Sequence, residues 1–143
     1  MERKMKATEI QLSRKITTQL LHEAVLSPDQ EVCGLVGSKD GVAHSCYPIK
    51  NIADQPETRF QLDEKQQISA MASMRDNNES FFAIYHSHPS SPAVPSATDI
   101  KLANYPDAIH LIISLNTKGV LEIRGFTIID QSVEEILLTM SPN

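Results

Sequence analysis

Four side chains able to handle protons or metals fall between positions 86 and 99, in the stretch YHSHPSSPAVPSATD: His86, His88, Ser96 and Asp99. Side chains alternate along a β-strand, so His86 and His88 would share a side, with Cα atoms roughly 6.5–7 Å apart. At that distance two imidazoles can converge on one metal ion. Pro89 would end the strand, because it donates no hydrogen bond to a ladder. Ser96 and Asp99 then fall at the N-cap and third position of a following helix, and the Asp99 carboxylate projects from its first turn. Two histidines and a carboxylate are a ligand set for catalytic zinc that leaves the fourth position to water, and zinc brings the pKa of that water to about 7. Each fragment also has an ordinary reading. An isolated H-x-H is more often a surface or core pair, Ser-x-x-Asp is a capping box favoured by the helix dipole, and Pro89, Pro92 and Pro95 stiffen a connection. Spacing alone leaves both readings open.

The elements that must position these residues follow from periodicity. Glu9 to Leu12 reads as a short strand or the lead-in to a helix. Ser13 is placed to cap a helix whose Ile16, Leu20, Leu21, Ala24 and Val25 share a face, closed by Pro28 and Asp29. Glu31 to Ser38 and Val42 to Ile49 are apolar runs joined by a Lys-Asp-Gly turn, a β-hairpin pattern. A loop over Asn51–Glu57 leads to a strand over Arg59–Leu62. A second helix is expected from Asp63 to Asn77, with Ile68, Met71, Ala72 and Arg75 on one face. Phe81 to His86 is apolar on both faces, the pattern of a central strand. A short helix over Ala97–Asn104 follows the prolines, then strands at His110–Leu115 and Val120–Ile129 about a turn at Asn116–Gly119. Val133 to Met140 fits a final helix or strand. This order predicts a single domain over residues 1–143, α/β or α+β, with a mixed sheet and helices packed on it.

Composition narrows the function classes. A chain of 143 residues with 41% apolar residues buries roughly two-thirds of its unfolded surface and needs no disulfide staple. The net charge of -5, with no basic cluster beyond the initial MERKMK, argues against nucleic acid, which demands a basic stripe. No apolar run is long enough to span a membrane, and no signal-peptide core is present, so a cytoplasmic protein is expected. Cys33 and Cys46 are too few for a disulfide framework and read as reduced thiols, although both lie on the expected hairpin, where one cross-strand bridge stays open. His22, His44 and His110 lack ligand spacing and read as structural or surface residues. Asn51 reads as a turn residue, and Phe81, Phe82 and Tyr85 as core.

Taken together, His86-Ser-His88-Pro89, six residues, and Ser96-Ala-Thr-Asp99 resemble the H-x-H-P-x6-S-x-x-D motif of the JAMM/MPN+ (JAB domain) zinc metalloproteases. Glu31, in PDQEVCGLVG, resembles that family's motif glutamate. All five positions match without change of spacing, and the order of elements resembles the compact prokaryotic branch over most of residues 9–130. The resemblance implies an MPN/JAB-type, cytidine-deaminase-like domain with a mixed, largely antiparallel sheet flanked by helices. It implies that His86, His88 and Asp99 ligate Zn²⁺, that Glu31 is the general base acting on the zinc-bound water, and that Ser96 donates to the oxyanion. Without the motif, Glu31 would read as a solvated strand-end charge. The implied substrate is a peptide or isopeptide bond next to the C-terminus of a ubiquitin-like protein. A prokaryotic ubiquitin-like or sulfur-carrier protein is favoured, because there is little room after Pro48 or Asp99 for the insertions of the ubiquitin-chain enzymes. RadC-like and phage-type JAMM hydrolases share the central motif, and MPN domains that have lost ligands act as scaffolds. The zinc deaminase signature and H-E-x-x-H are both absent.

Overall fold

The strand carrying both histidines lies inside the sheet rather than at its edge. In the computed structural model, which describes residues 9–117 and 120–141, the elements in chain order are β1 (Glu9–Ser13), α1 (Arg14–Leu26), β2 (Cys33–Lys39), β3 (Val42–Ile49), α2 (Glu64–Asp76), β4 (Ser80–His88), α3 (Ala97–Leu102), β5 (Ile109–Thr117), β6 (Val120–Ile129) and β7 (Ser132–Ser141). They form one sheet in the order β1-β7-β6-β5-β4-β2-β3. β4 runs parallel to β5 and β1 parallel to β7, while the other neighbouring pairs are antiparallel. The fold is thus mixed α/β with a largely antiparallel sheet.

Alternation along β4 sends Ala83 and Tyr85 to one face and Ile84, His86 and His88 to the other. The first face packs on α1. Ser13 caps that helix by accepting from the Ile16 N–H at 3.1 Å, and its heptad-like stripe Ile16, Leu20 and Ala24 is buried against Val36, Tyr85, Leu111 and Ile113. Val25, expected on this stripe, is 48% exposed. Tyr85 crosses Gly34, where any Cβ would collide with its hydroxyl, and donates to Glu23 of α1 at 2.5 Å.

The opposite face packs on α2, capped by Asp63, through Ala70 and Met74 against Leu35, Ile49 and Ile84. This corrects the expected face: Ile68 is 70% exposed and Arg75 is exposed. The helix turns Gln67, Ala70, Met71 and Met74 inward instead, at the same spacing but opening on a polar residue. Gln67 stays polar at low cost because its amide donates to the Tyr105 hydroxyl. The strand expected at Arg59–Leu62 is also corrected. Only an isolated bridge, Asn51 to Leu62, forms there, since the segment gives its hydrogen bonds to the Asn51 side chain.

The hairpin forms as expected, with Asp40 and Gly41 at φ 52° and 79° in its turn. Its register sets Cys33 opposite Ile49 and Cys46 opposite Val36, so the thiols do not face each other and both are free. The C-terminal segment is a strand. The centre of the expected Asn116–Gly119 turn, positions 118 and 119, lies outside the described residues.

Candidate metal centre

β4 ends at His88, and the prolines carry the chain across to α3. This crossover is anchored from the sheet: His88 Nδ1 donates to the Pro92 carbonyl at 2.8 Å, and Ser114 of β5 donates to the Ser91 carbonyl at 2.7 Å. Ala93 is fully buried against Ile112 and Phe126. The anchoring delivers Asp99 to the histidines. His86 Nε2 and His88 Nε2 stand 3.1 Å apart, and Asp99 Oδ2 lies 3.0 and 3.1 Å from them. Donors on a tetrahedral zinc ion with bonds of about 2.0–2.1 Å stand about 3.3 Å apart, so the triangle fits such an ion closely. The Pro92 bond also fixes the tautomer of the neutral His88 ring, because a proton on Nδ1 then leaves the Nε2 lone pair aimed into the triangle.

The helix start serves two purposes. Ser96 Oγ accepts from the Asp99 N–H at 3.0 Å, and Asp99 Oδ2 accepts from the Ser96 N–H at 2.9 Å, a complete capping box. The same Oδ2 faces both histidines, so the capping role of Asp99 is compatible with a ligand role. Burial opposes charge on Asp99, yet hydrogen bonds from His86 and His88 outweigh it and hold the carboxyl far below the usual range. Burial also works against charge on His88, but its bond to Asp99 carries it above its ordinary value. His86, more deeply enclosed, is drawn down by burial.

Glu31 sits just before β2 and is 4% exposed. One of its carboxylate oxygens and the ligating atoms of both histidines lie within 4.8 Å of one another, a grouping suited to a metal. Its Oε1 has no hydrogen-bond partner. Burial pushes its carboxyl up to about 8, with His88 lowering it and Asp99 raising it. Residues on each side fix its backbone. The Glu31 N–H donates to the Pro56 carbonyl at 2.7 Å, and the next residue, Val32, exchanges bonds with Ser87, from its N–H to Ser87 Oγ at 2.8 Å and to its carbonyl from the Ser87 N–H at 3.0 Å. The serine between the two histidines therefore grips the segment that carries the glutamate.

A family model of prokaryotic homologs of the JAB domain matches residues 13–126. The chain belongs to this family. A CysO-cysteine peptidase of Mycobacterium tuberculosis is 33% identical over 124 residues, covering 84% of this chain and 82% of the relative. A desampylase of Haloferax volcanii is 36% identical over 89 residues, 61% of this chain and 64% of the relative. The solution structure of protein DSY2949 from Desulfitobacterium hafniense superposes with a TM-score of 0.84 at 33% identity, over 94% of each chain.

Beside the triangle this JAB domain has a cleft of about 570 Å³, lined by Phe60, Leu102, Tyr105 and His110 together with His86 and Asp99. Phe60 stacks on His86, ring centroids 4.3 Å apart and planes at 19°. His110, read from sequence as structural, is buried with its Nε2 unpartnered. Burial, and then His86, pull it down to about 4. Cys33 lies opposite His86, but its thiol donates to the Ile49 carbonyl at 3.4 Å, and burial pushes it up to about 12, which keeps it an inert part of the JAB core. Ser87 and Phe60 went unnoticed in the sequence as site residues, and Asn51 was read only as a turn residue. Ser87 was legible only as the middle of H-x-H, and nothing local marks Phe60.

Proposed function

We propose that this JAB-family chain is a zinc-dependent peptidase or isopeptidase that cuts next to the C-terminus of a ubiquitin-like or sulfur-carrier protein. The observation that carries the reading is the convergence of three donor atoms within 3.1 Å beside a buried glutamate with an unpartnered oxygen. His86, His88 and Asp99 would hold the ion. Zinc in that position supplies a Lewis acid, which polarises a carbonyl and makes water acidic near neutral pH. Glu31 takes the proton of the attacking water at a carboxylate oxygen and delivers it to the departing amine, a task suited to a base whose pKa lies near the working pH. Ser96 has given its oxygen to the Asp99 N–H, which leaves its hydroxyl proton for the oxyanion.

The relatives' names, CysO-cysteine peptidase and desampylase, support a protein-linked bond as the substrate, and the cleft beside the triangle offers room for an extended chain end. Two free thiols, with no helix among the described residues long and apolar enough to cross a membrane, support the cytoplasm as its place. The test is zinc per chain on protein purified without chelator, followed by cleavage of ubiquitin-like fusions. The parent is expected to carry about one equivalent and to release the fusion partner, and His88→Ala to do neither. A folded parent without zinc would point instead to a scaffold domain.

A further inference from the structure

Among the described residues, the one side-chain amide bonded to the backbone of Glu31 belongs to Asn51, twenty positions away. Its Nδ2 donates to the Glu31 carbonyl at 3.0 Å and to the Arg59 carbonyl at 2.9 Å. Its Oδ1 accepts from the Ala53 and Gln61 N–H groups, each at 3.0 Å. Those four bonds exhaust the capacity of an amide, two donors and two lone pairs. An ordinary Asx turn would need only the bond from Ala53. The bond to Glu31 contributes nothing to turning the loop, and a serine or aspartate could replace the acceptor half alone. The loop responds in kind, with the Pro56 carbonyl accepting from the Glu31 N–H at 2.7 Å. Both backbone groups of Glu31 are thus tied to the 51–62 segment, which also carries Phe60 onto His86.

We propose that Asn51 is a positioning residue for Glu31, joining the glutamate's backbone and the 51–62 loop into one unit that sets the carboxylate against the histidine pair. The inference rests on the reading of Glu31 as general base. Asn51 touches no reacting atom, so its effect lies in the placement of the base. Displacement of a catalytic group by about 1 Å costs on the order of 100-fold in rate. The donor half of the amide is the part that matters: Asn51→Asp keeps the acceptor for Ala53 and Gln61 but sets an oxygen against two carbonyls.

The experiment measures zinc content, kcat, KM and residue-resolved amide exchange in the zinc-loaded parent, Asn51→Ala and Asn51→Asp. Both variants should keep the parent's zinc and KM while kcat falls about 10- to 100-fold. The Glu31 amide should exchange about tenfold faster in Asn51→Ala, as loss of the bond to its own carbonyl allows, while the Ser87 amide is unmoved. In the parent itself, the Glu31 amide should open together with those of Ile52 and Asp63 rather than with Ser87, and this arm decides the matter if a variant fails to fold. An unchanged kcat, a change confined to KM, or a Glu31 amide that exchanges in step with Ser87 overturns the proposal. A parent that binds no zinc and cleaves nothing overturns the general-base reading instead, and the exchange arm still reports whether Asn51 holds Glu31.

Discussion

Two glutamates are buried beside β4, one at each end, and they are treated in opposite ways. Glu79, just before the strand, has a side chain with no exposure, yet every oxygen is engaged. Oε1 accepts from the Tyr47 hydroxyl, and His44 Nδ1 lies 2.8 Å from Oε2. The absent side chain of Gly37 leaves the room, since a Cβ there would stand 3.1 Å from Oε1. Burial works against its charge, but bonds from Tyr47, Ser45 and His44 win and bring the carboxyl below its ordinary value. Glu31, at the far end, keeps one oxygen without a partner and is pushed up to about 8, chiefly by burial. A buried acid with its bonds complete is a fixture of the fold. One left incomplete beside a cluster of donors is held ready for a proton.

Exchanging the two acids for amides should separate these cases. Glu31→Gln is expected to lower kcat by about 10²–10⁴ while the zinc content of the protein stays at the parent level. Loss of zinc in that variant would make Glu31 a ligand and dissolve the contrast. A buried group outside both carboxylates sharpens it. His110 also has an unpartnered nitrogen, and its pKa falls from 6.5 to about 4 in the folded chain. Between those values the unfolded chain binds the proton and the folded one does not, so stability is lost as pH drops from about 6.5 toward 4. In chelator-treated protein, urea unfolding at pH 7 and pH 4.5 should show the parent losing about 2.4 kcal/mol relative to His110→Asn. Parallel losses in the two proteins would place the titration elsewhere. The smallest effect belongs to Glu79→Gln, which should cost about 1–3 kcal/mol in stability through its mismatched partners and leave kcat unaltered. A fall in kcat at constant zinc would show that the two ends of β4 communicate.

The convergence of His86, His88 and Asp99 was legible because they sit close in sequence, on a strand end and a helix start whose geometries are known in advance. The central strand, the hairpin and the capped helices were readable for the same reason: each is governed by neighbours within a few residues. What escaped the sequence depends on distance. Glu31 has no local sign of burial, and the family motif alone singled it out. The face of α2 was misread because Gln67 opens the inward stripe, and a polar residue there makes sense only once Tyr105 is opposite it. The strand expected at Arg59–Leu62 gave way to a loop for want of knowing that Asn51 would take its hydrogen bonds. His110 was read as structural or surface, and only the folded surroundings show it buried with an unmatched nitrogen.

Ser87 reaches Val32 across 55 positions of chain, and that span has a consequence for biosynthesis. Contacts so far apart form late, after the entropy of closing the intervening loop has been overcome. The glutamate cannot meet the histidines until β2 and β4 have zipped together, and a slip of one residue would turn both imidazoles to the wrong face. A nascent or partly unfolded copy therefore has its reactive parts scattered, and it is harmless to the chains around it. Proteolytic competence becomes a certificate of correct folding.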